Sequence, residues 1–143
     1  MRLLKWFILI CSVLSLAACA SGTDYKHLAA SIPKLKADEG RIYFFRNTAF
    51  AGFAVQPSIT LDGANVGRSK PGGFFYVDIP SGQHEISTAS EPSKKLAVTL
   101  EKGETQYIKA SPAFGTMMGT INLQVVPEAD AMKELSDLAS NVE

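Results

Sequence analysis

Imidazoles, thiols, hydroxyls and carboxylates are the side chains that move protons, attack carbonyls or hold metals, and this chain of 143 residues carries few of the first two. It has two histidines, His27 and His84, and two cysteines, Cys11 and Cys19. A zinc site draws three or four ligands from His, Cys, Asp and Glu, and no such spacing occurs. His84-Glu85 has no second histidine four residues on, which rules out the helical metalloprotease motif. His84 follows Pro80-Ser81-Gly82 and reads as a strand-start residue rather than a ligand or general base. No Gly-x-Ser-x-Gly elbow, phosphate-binding glycine loop or dinucleotide fingerprint is present. A serine that meets a lysine or histidine only in space would leave no local trace, and nothing singles one serine out. Asp38-Glu39, Asp62 and Asp78 fall at expected strand ends, where solvated turn carboxylates are common. The residue types therefore give no catalytic set, no metal site and no cofactor.

Charge narrows the partners. The chain has 14 basic and 14 acidic residues, and from Cys19 onward 12 basic stand against 14 acidic, a net charge of −2. Nucleic-acid binding rests on clustered cations, whereas Lys94-Lys95 and Arg68 with Lys70 are sparse and read as solvated loops. Nucleic acid is excluded as a default partner.

Cys19 has the most specific setting. Arg2 and Lys5 precede an apolar stretch from Trp6 to Leu16, the pattern of an export signal. That stretch is 11 residues long, well short of the ~20 a spanning helix needs. The run Leu16-Ala17-Ala18-Cys19 that follows resembles the bacterial lipobox, which implies cleavage between Ala18 and Cys19, a diacylglyceryl group on the cysteine sulfur and a further acyl chain on the new amine. Each buried acyl carbon contributes ~0.8 kcal/mol, so two or three chains hold a protein at a membrane essentially permanently. The same resemblance implies that Ala20, standing where Asp would retain a lipoprotein in the inner membrane, directs it to the outer membrane, facing the periplasm, in a source with two membranes. Cys11 leaves with the signal, so the mature domain has neither a free thiol nor a disulfide and must rely on packing.

The elements behind these residues follow from periodicity. Residues 20–40 open with small polar types and then space Tyr25, Leu28, Ala29, Ile32 and Leu35 as a short helix or turn would, up to the break at Pro33. We expect a tether over 19–40; about 20 residues span at most ~70 Å when extended. From Arg41 the pattern changes to short β-branched and aromatic runs between Gly, Pro, Asp and Asn, predicting strands at 41–46, 53–61, 65–69, 73–79, 83–89, 95–101, 104–110 and 119–126. Asp62-Gly63 predicts a reversal, and Lys102-Gly103 a hairpin between the Leu96 and Tyr107 strands. Met132, Leu135, Leu138 or Ala139, and Val142 recur at three or four residues, predicting an amphipathic helix after Pro127. The expected organisation is a signal at 1–18, a lipidated tether at 19–40, a domain at 41–126 and a C-terminal helix at 127–143. The fold class is all-β, a small sandwich of seven or eight mostly antiparallel strands with a short C-terminal helix.

Arg41-Ile42-Tyr43-Phe44-Phe45-Arg46, then Gly52, Pro57-Ser58-Ile59-Thr60-Leu61-Asp62-Gly63 and Val66-Gly67, then Gly72-Gly73-Phe74-Phe75, Pro80-Ser81-Gly82-Gln83-His84 and Gly103-Glu104-Thr105-Gln106-Tyr107-Ile108, resemble a family of small bacterial lipoproteins known as domain of unknown function 2846. The similarity covers residues 25–126, and its turn phrases are also seen in small surface β-domains of the PEGA type. It implies an all-β domain on a lipid anchor and brings no catalytic residues.

Two places could meet a partner. Tyr43-Phe44-Phe45 and Phe74-Phe75-Tyr76 put aromatics on both faces of a strand, so one face needs cover beyond the main core. Either the terminal helix and the segment around Tyr25 and Ile32 cover it, or Phe44, Phe74 and Tyr76 belong to a partner-binding surface. The second place is the glycine-flanked loop carrying Phe114, Met117 and Met118, an adaptable apolar tip or a plug at one end of the sandwich. The expected function is a non-catalytic binding or scaffolding module of the cell envelope, membrane-held through Cys19, with an envelope protein or peptidoglycan as partner. The alternatives are a cell-wall enzyme or enzyme accessory, and a carrier of an apolar ligand.

Overall fold

The computed structural model describes residues 22–48, 54–113 and 119–141, and among these residues it has nine strands and two short helices. The strands are β1 (Glu39–Arg46), β2 (Ser58–Leu61), β3 (Ala64–Arg68), β4 (Gly73–Pro80), β5 (Gly82–Thr88), β6 (Glu91–Leu100), β7 (Thr105–Ala113), β8 (Thr120–Val126) and β9 (Ala139–Ser140). The helices are α1 (Tyr25–Leu28), continued by a tight turn at Ala29–Ser31, and α2 (Glu128–Leu135). A five-stranded sheet runs β8-β7-β1-β4-β9, and a four-stranded sheet runs β3-β2-β5-β6. Among the described residues no helix is long and apolar enough to cross a membrane. The export signal, Ala18, Cys19 and the loop residues Phe114, Met117 and Met118 lie outside the described residues.

Alternation along β1 explains why two cores exist. Ile42 and Phe44 point between the sheets, where they meet Phe75 and Ile108 of their own sheet and Ile59, Leu61, Ile86, Val98 and Leu100 of the other. Tyr43 and Phe45 point to the opposite face and join Phe74, Tyr107, Ala131, Leu135 and Leu138, with Tyr25, Leu28, Ile32 and Met132 packed against them. A strand covered on both faces loses the polar half of the alternation, as the run Ile-Tyr-Phe-Phe does. The cover on the outer face is α1 and α2. Helix α2 places Ala131 and Leu135 on one side, four residues apart, and has Glu128 and Asp130 in its first turn, where acidic groups favour the helix dipole.

Pairing is mostly antiparallel, with two parallel exceptions, β1 with β7 and β4 with β9. The turn at Asp62-Gly63 is a reversal between β2 and β3, with φ of 49° at Asp62 and 82° at Gly63, the pair of positive values a tight two-residue hairpin requires. The reversal expected at Lys102-Gly103 is not a hairpin. Strand β6 pairs with β5 in one sheet and β7 with β1 and β8 in the other. The turn carries the chain across the sandwich and is held by the Gly103 N–H donating to the Glu39 carbonyl at 2.9 Å. The physical reason is that alternation fixes which face of each strand is apolar but not which neighbour it pairs with.

The expected tether is also corrected. From Gly22 the chain lies on the domain: Ser140 N–H donates to the Thr23 carbonyl at 2.9 Å and Tyr25 N–H to the Leu138 carbonyl at 3.0 Å, around a bridge between Asp24 and Ala139. Gly22 packs so closely on the Ser140 carbonyl that a Cβ has no room there. The Tyr25 ring meets Phe74 edge-on at 5.4 Å and Tyr43 at 6.0 Å, so burying that ring is what docks the segment.

Candidate functional site

The aromatic residues foreseen as a partner surface are mostly core. Phe44 is 1% exposed between the sheets and Phe74 is fully buried beneath Leu135, Leu138 and Tyr25. Both are therefore withdrawn as surface residues; covering them removes a large apolar area from water. Tyr76 is half-buried. Its ring takes the Arg41 guanidinium at 4.5 Å, a cation–π contact. Arg41 also grips Asp78 with Nε to Oδ1 at 2.6 Å and Nη2 to Oδ2 at 2.7 Å, and donates to the Pro33 carbonyl at 2.8 Å. The forked bond to Asp78 raises the Arg41 pKa further above its already high value. Around it, burial pushes the Tyr43 phenol up to about 12 and the Tyr107 phenol upward as well. These phenols are fixed as neutral packing groups at neutral pH. Asp78, expected as a solvated turn carboxylate, is instead a structural partner.

His84 stands at the start of β5, as foreseen, and lines an open depression of about 350 Å³ together with Asp62 and Glu85. Its Nδ1 lies 2.7 Å from Asp62 Oδ2 and its Nε2 2.8 Å from the Pro80 carbonyl. A carbonyl oxygen only accepts, so Nε2 carries a proton, and a carboxylate on the other side favours a proton on Nδ1 too. Burial alone would lower the His84 pKa, but the bonds to Asp62 and Pro80 and the Asp62 charge outweigh it and raise it. Reciprocally, His84 and then the Glu85 N–H hold the Asp62 carboxyl below its usual range. Both ring nitrogens are thus engaged by protein groups. His84 ties the β2–β3 turn to the β4–β5 turn. His27 is exposed and 3.9 Å from Asp24. Among the described residues no group of three or more His, Cys, Asp and Glu gathers to hold a metal.

The arrangement that sequence spacing did not single out is a groove of about 400 Å³ between β3 and β4. Asn65, Val66, Gly67, Arg68, Lys70, Phe75, Tyr76 and Asn141 line it. Its floor exists because residue 67 is glycine: a Cβ there would lie 2.7 Å from the Phe75 ring. Arg68 uses one N–H on the Gln56 carbonyl at 3.3 Å, and Asn65 accepts the Gly67 N–H at 3.1 Å through its side-chain oxygen, which leaves its amide nitrogen as a donor. Arg68 and Lys70, two positions apart at a strand end, were the available signal; Asn141 comes from the far end of the chain. Next to the groove, a void beside Phe44, Ile59 and Phe75 is too small for water, so no apolar ligand fits there.

The fold is a two-layer β-sandwich whose outer face is roofed by helices, with a groove at the β3–β4 edge. Residues 36–120 match the family model described as "Protein of unknown function (DUF2846)", and the chain belongs to that family. It is also 32% identical over 130 residues to an uncharacterized protein of Haemophilus influenzae, across 87% of this chain and 77% of that protein. No solved structure gives a significant match.

Proposed function

We propose that the chain is exported, cut before Cys19 and held by acyl chains on that cysteine, on the periplasmic side of the outer membrane where the source has two membranes. There it acts as a non-catalytic binding or scaffolding module of the envelope. The observation that carries this reading is Leu16-Ala17-Ala18-Cys19 standing three positions before Gly22, which packs on the Ser140 carbonyl. A link of three residues spans about 10 Å, so a lipid on Cys19 seats the domain on the membrane instead of trailing it. The hydrogen bonds at both ring nitrogens of His84 support a non-catalytic role for that imidazole. Intact-mass measurement of protein from its native host tests the reading. The expected mass is that of residues 19–143 plus acyl chains, and Cys19→Ser abolishes the addition. An unmodified thiol at position 19 would overturn it.

A further inference from the structure

We propose that β8 is an association edge through which two copies of this chain pair, antiparallel about Leu123, so that the β8-β7-β1-β4-β9 sheets of both copies run on as one. This goes beyond the envelope reading and stands whether or not Cys19 carries acyl chains.

An edge strand invites pairing with another chain, and proteins blunt their edges by shortness, charge, proline or a bulge. Among the described residues the two sheets end in β3, β6, β8 and β9, and three of these are blunted. Strand β9 has two residues. Strand β3 has five, with a register shift against β2 between Ile59 and Thr60. Strand β6 carries Pro92, Lys94 and Lys95 and has a register shift against β5. Strand β8 has none of these devices. It pairs with β7 over seven consecutive residues without a shift, and Thr120-Ile121-Asn122-Leu123-Gln124-Val125-Val126 contains neither a charge nor a proline. It also carries Val125, 43% exposed, the one exposed large hydrophobic among the described residues.

The direction of its backbone groups follows from Pro112. Opposite Ile121 in the ladder, Pro112 has no N–H to give, so the two form a non-hydrogen-bonded pair, and alternation makes Leu123 and Val125 members of such pairs too. Ile121, Leu123 and Val125 therefore turn N–H and C=O away from β7. In accord with this, the Ile121 N–H reaches outward to the Ser90 hydroxyl at a long 3.4 Å. The same three residues share the face toward the other sheet, where Leu123 packs on the inter-sheet core. Where β6 and β8 stand apart, Ile86, Leu96, Ile121 and Leu123 floor an opening of about 140 Å³.

A second copy fits this edge because the edge is complementary to itself. Set antiparallel on a twofold axis at Leu123, two β8 strands ~4.8 Å apart bring the outward residues into hydrogen-bonded pairs, Leu123 with Leu123 and Ile121 with Val125 on either side. The row facing the other sheet is then apolar throughout, and the exposed Val125 gains cover from Ile121 of the other copy. On the outer row Asn122 meets Gln124, two amides that each donate and accept, and Thr120 meets Val126. No like charges meet, since the strand is neutral along its length. On β6, Lys95 is held by Glu85 at 2.6 Å, and Pro92 with Lys94 keeps that edge from being extended, so the copies join through one sheet only. The far edge of that sheet, β9, is too short to recruit a further copy. Assembly closes at two.

The test follows the processed chain, in detergent where it is acylated, by sedimentation equilibrium and by amide hydrogen exchange in NMR, with reductant present so that an unmodified Cys19 cannot link copies. A seven-residue edge is small beside the ~800 Å² per partner of a standard interface, so the dimer should dissociate on dilution. The Leu123 and Val125 amides should exchange slowly in concentrated samples and fast in dilute ones, while Asn122 and Gln124, bonded to β7, stay slow in both. Mixing isotope-labelled with unlabelled protein should give Ile121–Val125 methyl contacts between copies, since these residues stand ~13 Å apart within one strand. Val125→Lys gives β8 the protection that β6 has and removes two cross-strand pairs per dimer; the dissociation constant should rise about tenfold with far-UV circular dichroism unchanged. Ala64→Lys, at an exposed position on β3, should leave it unaltered. If Val125→Lys misfolds, exchange and contacts in the otherwise unaltered chain still decide. A chain that stays monomeric into the millimolar range, dimers whose Leu123 and Val125 amides exchange freely, or filaments in place of dimers would each overturn the proposal.

Discussion

Replacing Arg41 by alanine separates the outer layer of this protein from its frame. The side chain is 10% exposed and makes two charge-assisted bonds to Asp78 at 2.6 and 2.7 Å, one to the Pro33 carbonyl, and a stack on Tyr76. Removing one member of a buried pair costs about 3–5 kcal/mol, because the other charge stays behind without its partner. Asp78 is 24% exposed and water can reach it, so the lower end applies: about 3 kcal/mol for Arg41→Ala, a fall in melting temperature of about 10 °C for a domain of this size. Asp78→Ala should cost about 2 kcal/mol, since Arg41 keeps Pro33 and Tyr76. The double variant should cost less than the two together, with a coupling near 1.5 kcal/mol. Arg41→Lys keeps the charge but not the fork and should recover less than half of the loss. Urea unfolding of the processed chain measures all four. Circular dichroism reports the sheets, whereas tyrosine emission reports the outer layer, where Tyr25, Tyr43, Tyr76 and Tyr107 all sit. A coupling below about 0.5 kcal/mol would refute the pairing argument.

Two further outcomes follow from the same packing. His84 is raised and Asp62 depressed in pKa. The His84 contribution is therefore complete below its ordinary pKa of ~6.5 and lost as pH rises through the raised value, while that of Asp62 is complete above ~3.9 and lost as pH falls through the depressed one. Stability from this pair should peak between about pH 4 and 6.5, with an amplitude under about 1 kcal/mol because Asp62 is half exposed and screened; urea midpoints against pH should show the alkaline decline disappearing in His84→Gln, and a decline that persists unchanged would refute it. Phe74→Ala removes a fully buried ring against Tyr25 and Tyr43 and should cost about 3–5 kcal/mol; a loss under 1 kcal/mol in the same unfolding assay would show that the outer cluster is not a core.

Local pattern carried the elements well and their partners poorly. The β-branched and aromatic runs from Arg41 to Val126 fall on β1–β8 within a few residues, because they follow from which side chains must be buried together; the helix expected over 127–143 ends at Leu135, and Ala139, expected on its apolar stripe, is in β9 instead, pairing with Gly73. Strand β9 is two residues long and has no period to detect. The Lys102-Gly103 turn is real, but whether it joins neighbours in one sheet or crosses between two depends on where Leu96 and Tyr107 find cover. The double-sided aromatics posed the correct question at Phe44 and Phe74, and only the packing of Tyr25, Leu135 and Leu138 answered it. For the groove, Arg68 and Lys70 looked like solvated cations because Asn141 joins them from far along the chain. Asp78 looked like a solvated turn carboxylate because its partner Arg41 is brought to it only by the β1–β4 register.

The parallel pairing of β1 with β7 bears on how the molecule is made. Arg41–Phe45 lies against Thr105–Lys109, so a ribosome releases one of the most aromatic strands long before its second neighbour exists. Contacts this distant along the chain close slowly. Until they do, Ile-Tyr-Phe-Phe is a sticky open edge, and the polypeptide has to be kept apart from its own kind until almost all of it has been delivered.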